Sequence, residues 1–260
     1  MRYIVAVTDT HFYQLIGPYQ FEQLFKKYKE PKYIENACKI FPPGDILRSQ
    51  LQLLYVDSQL HSFGWMTGAG FCFGTYSNDP YDILIKNFTI IPYAKLGRVF
   101  YFIIKENKNI LTTESPKSVA HSEYHIYLLF SDCISIISKI TNNIVHTENH
   151  KGNIVNMYYD KVKKCIWMHS NKVLYQLTID HEDRDIWKAH LEKQNFDLAL
   201  LHCEKNNLPH EKKVARLYAY HFYDNNSFKE SALMFARSDE KFEEVTLKFL
   251  INQQYVALKS

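Results

Sequence analysis

What this chain lacks narrows its function first. Its five cysteines, Cys38, Cys72, Cys133, Cys165 and Cys203, lie about 30 residues or more apart, and none forms a Cys-x-x-Cys pair. That spacing excludes a zinc ribbon or a redox dithiol. An odd number of thiols without a secretory leader suits a reducing compartment, with the cysteines reduced and mostly buried. The apolar run at the N-terminus is too short for a signal peptide before Thr8-Asp9-Thr10 interrupts it. No long hydrophobic run exists either. The longest, Val99–Ile104, falls far short of the roughly 20 residues that a membrane-spanning helix needs, so a soluble protein is expected. The sequons at Asn87 and Asn225 then carry no meaning for glycosylation.

Charge of one sign is missing as well. There are 31 basic and 28 acidic residues for a net charge of +3. The pair Lys26-Lys27 and the run at 161–164 read as solvated faces, and no nucleic-acid partner is expected. A mean hydropathy of -0.32 and an aromatic content of 15% argue for a folded chain and against disorder.

Catalytic signatures are absent too. Gly68-Ala69-Gly70 followed by Gly74 fits neither the dinucleotide nor the P-loop spacing, and strand-forming residues follow it where a helix should start. The expectation is a tight turn between two strands, with glycine supplying a positive φ. His121 with His125, and His146 with His150, have an i, i+4 spacing but no third ligand nearby, so they read as surface histidines. His190, His202 and His221 read as packing or capping residues on helices. Trp65, Trp167 and Trp187 read as core or interface aromatics. No nucleophile elbow is present. No catalytic, cofactor-binding or metal residue is assigned, no cofactor is expected, and the chain is not expected to be an enzyme.

What is present falls into two patterns. Up to about residue 178, short runs rich in Ile, Val, Tyr and Phe alternate with turn residues. They cover 3–7, 12–16, 53–56, 63–66, 71–76, 83–85, 99–104, 126–130, 133–137, 154–159, 165–169 and 173–178. Three hairpins are expected: 1–8 with 11–16, 127–130 with 133–137, and 165–169 with 173–177 across Ser170-Asn171-Lys172. This spacing fits a sandwich, a barrel or propeller blades. Residues 21–29 read as helical, and the Pro-containing segment 105–122 as a loop.

Residues 183–250 follow a helical period instead. Apolar residues recur at three- and four-residue steps: Trp187 with Leu191, Val214 with Leu217 and His221, Val245 with Phe249. The breaks carry Asn, Pro or Asp-Asn, and Asn195, Ser227 and Asp239 are candidate N-caps. Two helices share an aromatic start and a small residue one turn in, Phe196 with Ala199 and Phe228 with Ala232. The alanines are about 33 residues apart, the period of helix-turn-helix solenoids. A small residue admits the neighbouring helix, and the aromatic plugs the end of the pair. An ordinary amphipathic bundle has the same periodicity.

The residues Arg184, Asp185, Trp187, Phe196, Asp197 and Ala199, then Ser231-Ala232, then Phe242-Glu243-Glu244-Val245-Thr246-Leu247-Lys248-Phe249-Leu250, fall in a recognisable order. They resemble the propeller-to-solenoid junction of the Pep/deep orange family of vacuolar protein sorting subunits. Upstream, Gly64-Trp65-Met66-Thr67-Gly68-Ala69-Gly70 is similar to that family's Trp-containing strand and turn. The positions carrying the likeness are Trp65, Gly68, Gly70, Arg184, Asp185, Trp187, Phe196, Asp197, Ala199, Ala232, Phe242, Glu243, Leu247 and Phe249.

The resemblance implies a partial β-propeller over residues 1–180 and the first helical hairpins of an α-solenoid over 181–260. It also implies a non-catalytic scaffold subunit of the HOPS and CORVET tethering complexes. Its partners would be other class C subunits, with SNARE proteins and Rab GTPases reached through the complex. Its place would be peripheral, on the cytoplasmic face of late endosome, lysosome or vacuole membranes. Family members are several times longer and end in a zinc-binding RING, whose Cys/His pattern is absent here. No zinc or ubiquitin-ligase role is therefore carried over, and the chain is expected to be part of a longer protein. The alternative reading is a free-standing adaptor with a β docking domain.

Overall fold

A computed structural model describes residues 2–17, 20–27, 29–30, 38–43, 49–56, 59–75, 88–96, 99–104 and 108–251. The chain forms two compact units, Met1–Asp180 and His181–Ser260.

The β-rich runs of the first unit fold into antiparallel hairpins, because each is short and bounded by turn residues. β1 (Arg2–Val7), β2 (His11–Gly17) and β3 (Cys38–Ile40) make one sheet, with the short helix α1 (Phe21–Lys27) between β2 and β3. β4 (Leu51–Val56), β5 (Gln59–Met66), β6 (Gly70–Thr75) and β7 (Phe88–Pro92) make the second, and a 3-10 turn (Tyr93–Leu96) follows. Among the described residues, β8 (Val99–Ile104) and β9 (Lys108–Thr113) form a two-stranded sheet. β10 (Ser118–His121), β11 (His125–Leu129), β12 (Cys133–Ser138) and β13 (Ile144–Asn149) make another four-stranded sheet. β14 (Asn156–Asp160), β15 (Cys165–His169) and β16 (Leu174–Thr178) make the last.

The three expected hairpins are β1–β2, β11–β12 and β15–β16. The expected loop at 105–122 instead holds β9 and β10. β10 was hidden because Ser118-Val119-Ala120-His121 is a strand with both faces buried, so it shows no polar–apolar alternation. The reading of 83–85 as a strand lies outside the described residues.

Four of the sheets stack face to face, in the order β1–β3, β4–β7, β10–β13 and β14–β16. Alternation along β11 sends Ile126, Leu128 and Phe130 into one core with Met66 and Phe71 of the second sheet. Tyr127 and Leu129 go into another core with Met157 and Ile166 of the last sheet. A third core, Phe12, Phe41, Phe63, Trp65 and Cys72, joins the first two sheets. The β10–β13 sheet is thus covered on both sides by other sheets, and β10 lies beside both β4 and β14. A sandwich covers each sheet on one face only. Face-to-face stacking with adjacent first strands is the arrangement of propeller blades.

The second unit holds α2 (Ile186–Glu192), α3 (Phe196–Lys205), α4 (Glu211–Asp224), α5 (Phe228–Ala236) and α6 (Phe242–Ile251). The expected breaks have a shared mechanism. Gln194, Asn207 and Asn226 take left-handed φ values of 57°, 49° and 61° two residues after α2, α3 and α4. The next N–H in each case bonds back five residues, from Asn195 to His190, Leu208 to Cys203 and Ser227 to Phe222. These are Schellman closures. Asn195 and Ser227 do occupy N-cap positions, but their side chains make no capping bond. Asp239 precedes α6 by three residues and instead faces Arg216 at 3.6 Å. Trp187, Ala199, Leu200, Cys203, Val214 and Ala215 form one core, and Ala219, Phe235 and Phe249 centre another. Leu217, expected on the α4 stripe, is exposed.

Candidate functional site

His121 is not a surface residue. It is 2% exposed on β10, where Nε2 donates to Gln52 O at 3.4 Å and Nδ1 accepts from Lys139 Nζ at 3.1 Å. Burial, with the Lys139 charge beside it, pushes its pKa down to about 3, so the ring is neutral. His146 is exposed beside Glu148, and His150 bonds the Gly152 and Phe130 carbonyls. Among the described residues, no group of three His, Cys, Asp or Glu could hold a metal ion.

The Gly68–Gly70 segment is a turn. Thr67 Oγ1 accepts from the Ala69 and Gly70 N–H groups and donates to Gly70 O, which closes the β5–β6 connection. Gly68 N donates to Asp9 O at 2.9 Å, docking this turn onto the β1–β2 turn. Gly70 is required by close approach rather than by positive φ: a Cβ there would lie 2.5 Å from Ile91 O. Trp65 is fully buried beside it. Its Nε1 donates to Thr8 O at 3.1 Å and to Ser49 Oγ at 2.8 Å, and its ring packs on Phe12 and Phe41. The Trp65, Gly68 and Gly70 positions therefore form one junction between the first two sheets.

A second junction went unnoticed in the sequence. Gln50 Oε1 accepts from Val119 N, Gln52 Nε2 donates to Val119 O, and the Ser118 hydroxyl lies within hydrogen-bond reach of both Gln50 Oε1 and Asn156 Oδ1, with one proton to share between them. This polar seam joins β10 to Gln50 and Gln52 on one side and to β14 on the other. Its only signal was Gln-Leu-Gln-Leu at 50–53, a period-2 pattern with the polar residues facing the seam. Both junctions hold blades together.

In the helical unit, Arg184 and Asp185 are exposed. Asp185 pairs with Lys188 at 2.7 Å, which holds its carboxyl below the usual range. Trp187 is buried and stacks on His210 at 4.6 Å. His202 Nε2 donates to Asp183 O at 2.9 Å, a packing role as expected. Ala199 is fully buried, whereas Ala232 is half-buried, and the fully buried small residue one turn into α5 is Ser231. Its hydroxyl donates to Ala219 O of α4 at 2.8 Å. On α6 only Phe249 is buried, inside Tyr223, Phe228 and Phe235 rings. Phe242, Glu243 and Leu247 are exposed, Phe242 by 77%. Phe196 and Asp197 open α3 at the edge of a hollow lined by aromatic rings.

Among the described residues, no helix is long and apolar enough to cross a membrane.

Comparison with known proteins gives a consistent result. The family described as the Pep3/Vps18/deep orange beta-propeller domain matches residues 1–179. The chain is similar to "Vacuolar sorting protein 18" of Arabidopsis thaliana, 24% identical over 276 residues, covering 99% of this chain and 26% of the relative. It is 24% identical over 274 residues to "Vacuolar protein sorting-associated protein 18 homolog" of Danio rerio, with the same coverage. With "Vacuolar membrane protein pep3" of Schizosaccharomyces pombe it shares 26% over 192 residues, 68% of this chain and 21% of that one. The chain spans about a quarter of the length of the first two relatives.

Proposed function

Because this chain belongs to the Pep3/Vps18/deep orange beta-propeller family, we propose that it is a non-catalytic scaffold subunit of an endosomal or vacuolar membrane-tethering complex of the HOPS or CORVET type. The observation that carries this reading is similarity along 99% of the chain, through both the blades and the helices, to proteins named for vacuolar sorting. In this reading residues 1–180 are the propeller part, which docks peripherally. Residues 181–260 begin a helical rod that binds other class C subunits, and SNARE proteins and Rab GTPases are engaged through the assembled complex. The work is done on the cytoplasmic face of late endosome, lysosome or vacuole membranes. Helical arrays suit such a task because stacked helix pairs build an extended binding surface that needs no catalytic group.

Depletion of the protein in its own cells tests the proposal. Vacuolar cargo should be mis-sorted and endosomal or vacuolar compartments should fragment, with recovery on re-expression. Normal cargo delivery and normal compartments in cells that lack the protein would contradict it.

A further inference from the structure

At the start of α3 the helical unit has an open hollow of about 310 Å3, near the lower end of the size range of ligand pockets. Phe196 and Tyr218 stack nearly parallel, 6° apart, with centroids at 5.1 Å, and Tyr218 stacks on Phe222 at 4.3 Å. His221 closes on Phe196 at 4.7 Å. Asp197 is the one carboxylate among the lining residues. Its Oδ1 accepts the Tyr218 hydroxyl at 2.8 Å. Burial and that bond push the Tyr218 pKa up to about 12, so the phenol stays a neutral donor.

Among the described residues no lysine or arginine pairs with Asp197, whereas Asp185 takes Lys188 and both Glu204 and Glu211 take Arg237. The helix dipole favours a carboxylate in this first turn, but it does not account for a cationic partner being absent beside an open aromatic wall. The same face of α3 continues outward through Leu198 and Leu201, which are 48% and 58% exposed.

We propose that this hollow receives an arginine side chain from an apolar-flanked segment of a partner protein. The guanidinium would pair with Asp197 Oδ2 and extend the ring stack, and its apolar neighbours would cover Leu198 and Leu201. Arginine suits the site better than lysine because its planar, weakly hydrated head both stacks on rings and bonds carboxylates. The surface stands independently of the tethering proposal, since it is built from this chain's own geometry and charge.

The test titrates the isotope-labelled full chain with an acetylated Leu-Arg-Ala-Leu amide and with the same peptide carrying citrulline, which keeps the shape and removes the charge. Saturable NMR shifts are expected at residues 194–201 and 218–222, with affinity for the citrulline peptide lower by about tenfold or more. Asp197→Asn, which keeps an acceptor for Tyr218, should cause a similar loss with the arginine peptide. Equal affinity for both peptides, shifts centred elsewhere, or no saturable binding would overturn the proposal. The two-peptide comparison needs no variant, so a misfolded Asp197→Asn would not shield the proposal from failure.

Discussion

Gly70 stands where β6 begins, and a methyl group in place of its α-hydrogen would meet the backbone carbonyl of Ile91 at 2.5 Å. Backbone cannot turn aside as a side chain can. Gly70→Ala should therefore cost about 1–3 kcal/mol or more, the usual range for overpacking. At Gly64 the added methyl meets side-chain atoms instead, Phe71 Cζ at 2.6 Å and His121 Cδ2 at 3.1 Å, which can shift by rotamer adjustment where a backbone carbonyl cannot. Urea midpoints should fall further for Gly70→Ala than for Gly64→Ala, and the reverse order would contradict this account. His121 sets the second residue-scale expectation. The folded ring titrates at about 3, far below the ordinary value near 6.5, so between those values the unfolded chain binds more protons. Stability should be complete above pH 6.5 and fall as pH drops, by about 2 kcal/mol at pH 5 from this group. The Lys139 ammonium lies beside the same ring and opposes its protonation, as does the neighbouring His61. His121→Gln, which can both donate and accept, should flatten the slope in denaturation series across pH 5–7; an unchanged slope would exclude His121 as its source. Neither residue announced its role. The glycines at 68 and 70 were legible as a turn, but the reason for one of them lies in a strand about twenty residues further on. The i, i+4 histidine spacing was visible, but nothing in the sequence distinguishes a buried strand position from a surface one.

Elements were more legible than residues, because period and punctuation are local properties. The three expected hairpins and the five helices described in the second unit follow from alternating or helical apolar runs separated by turn residues. Strands buried on both faces, such as β10, lack that alternation and were missed. The helix-pair motif was legible only to within one residue. Ala232 follows Phe228 by four residues where Ala199 follows Phe196 by three, and Ser231, at the matching step, is the residue pressed against α4, where its hydroxyl bonds the Ala219 carbonyl. Small size at that position lets the helices approach closely. Ser231→Ala should cost about 1 kcal/mol for the lost bond. Ser231→Leu should cost more, by forcing α4 and α5 apart, while the same change at half-buried Ala232 should be milder. Thermal unfolding of the three variants orders them directly. A Ser231→Leu protein no less stable than its Ala232→Leu counterpart would contradict the packing described.

At the scale of the whole molecule, two units of different construction share one chain: stacked blades joined by the Trp65 junction and the Gln50–Ser118–Asn156 seam, and helix pairs closed by left-handed turns. Composition alone left sandwich, barrel and propeller open, because all three use short strands at this spacing. Which sheets share a core decided among them, and that is a long-range property. The function rests on a different kind of inference, since blades and helices serve many tasks and the likeness to vacuolar sorting proteins is what selects one. The central claim is membership of a tethering assembly. Gentle purification of the tagged endogenous protein, followed by sizing and mass spectrometry, tests it most directly. The account predicts co-elution with class C sorting subunits in an assembly far larger than the chain's 30.8 kDa. Recovery of the protein by itself, with no such subunits bound, would contradict it.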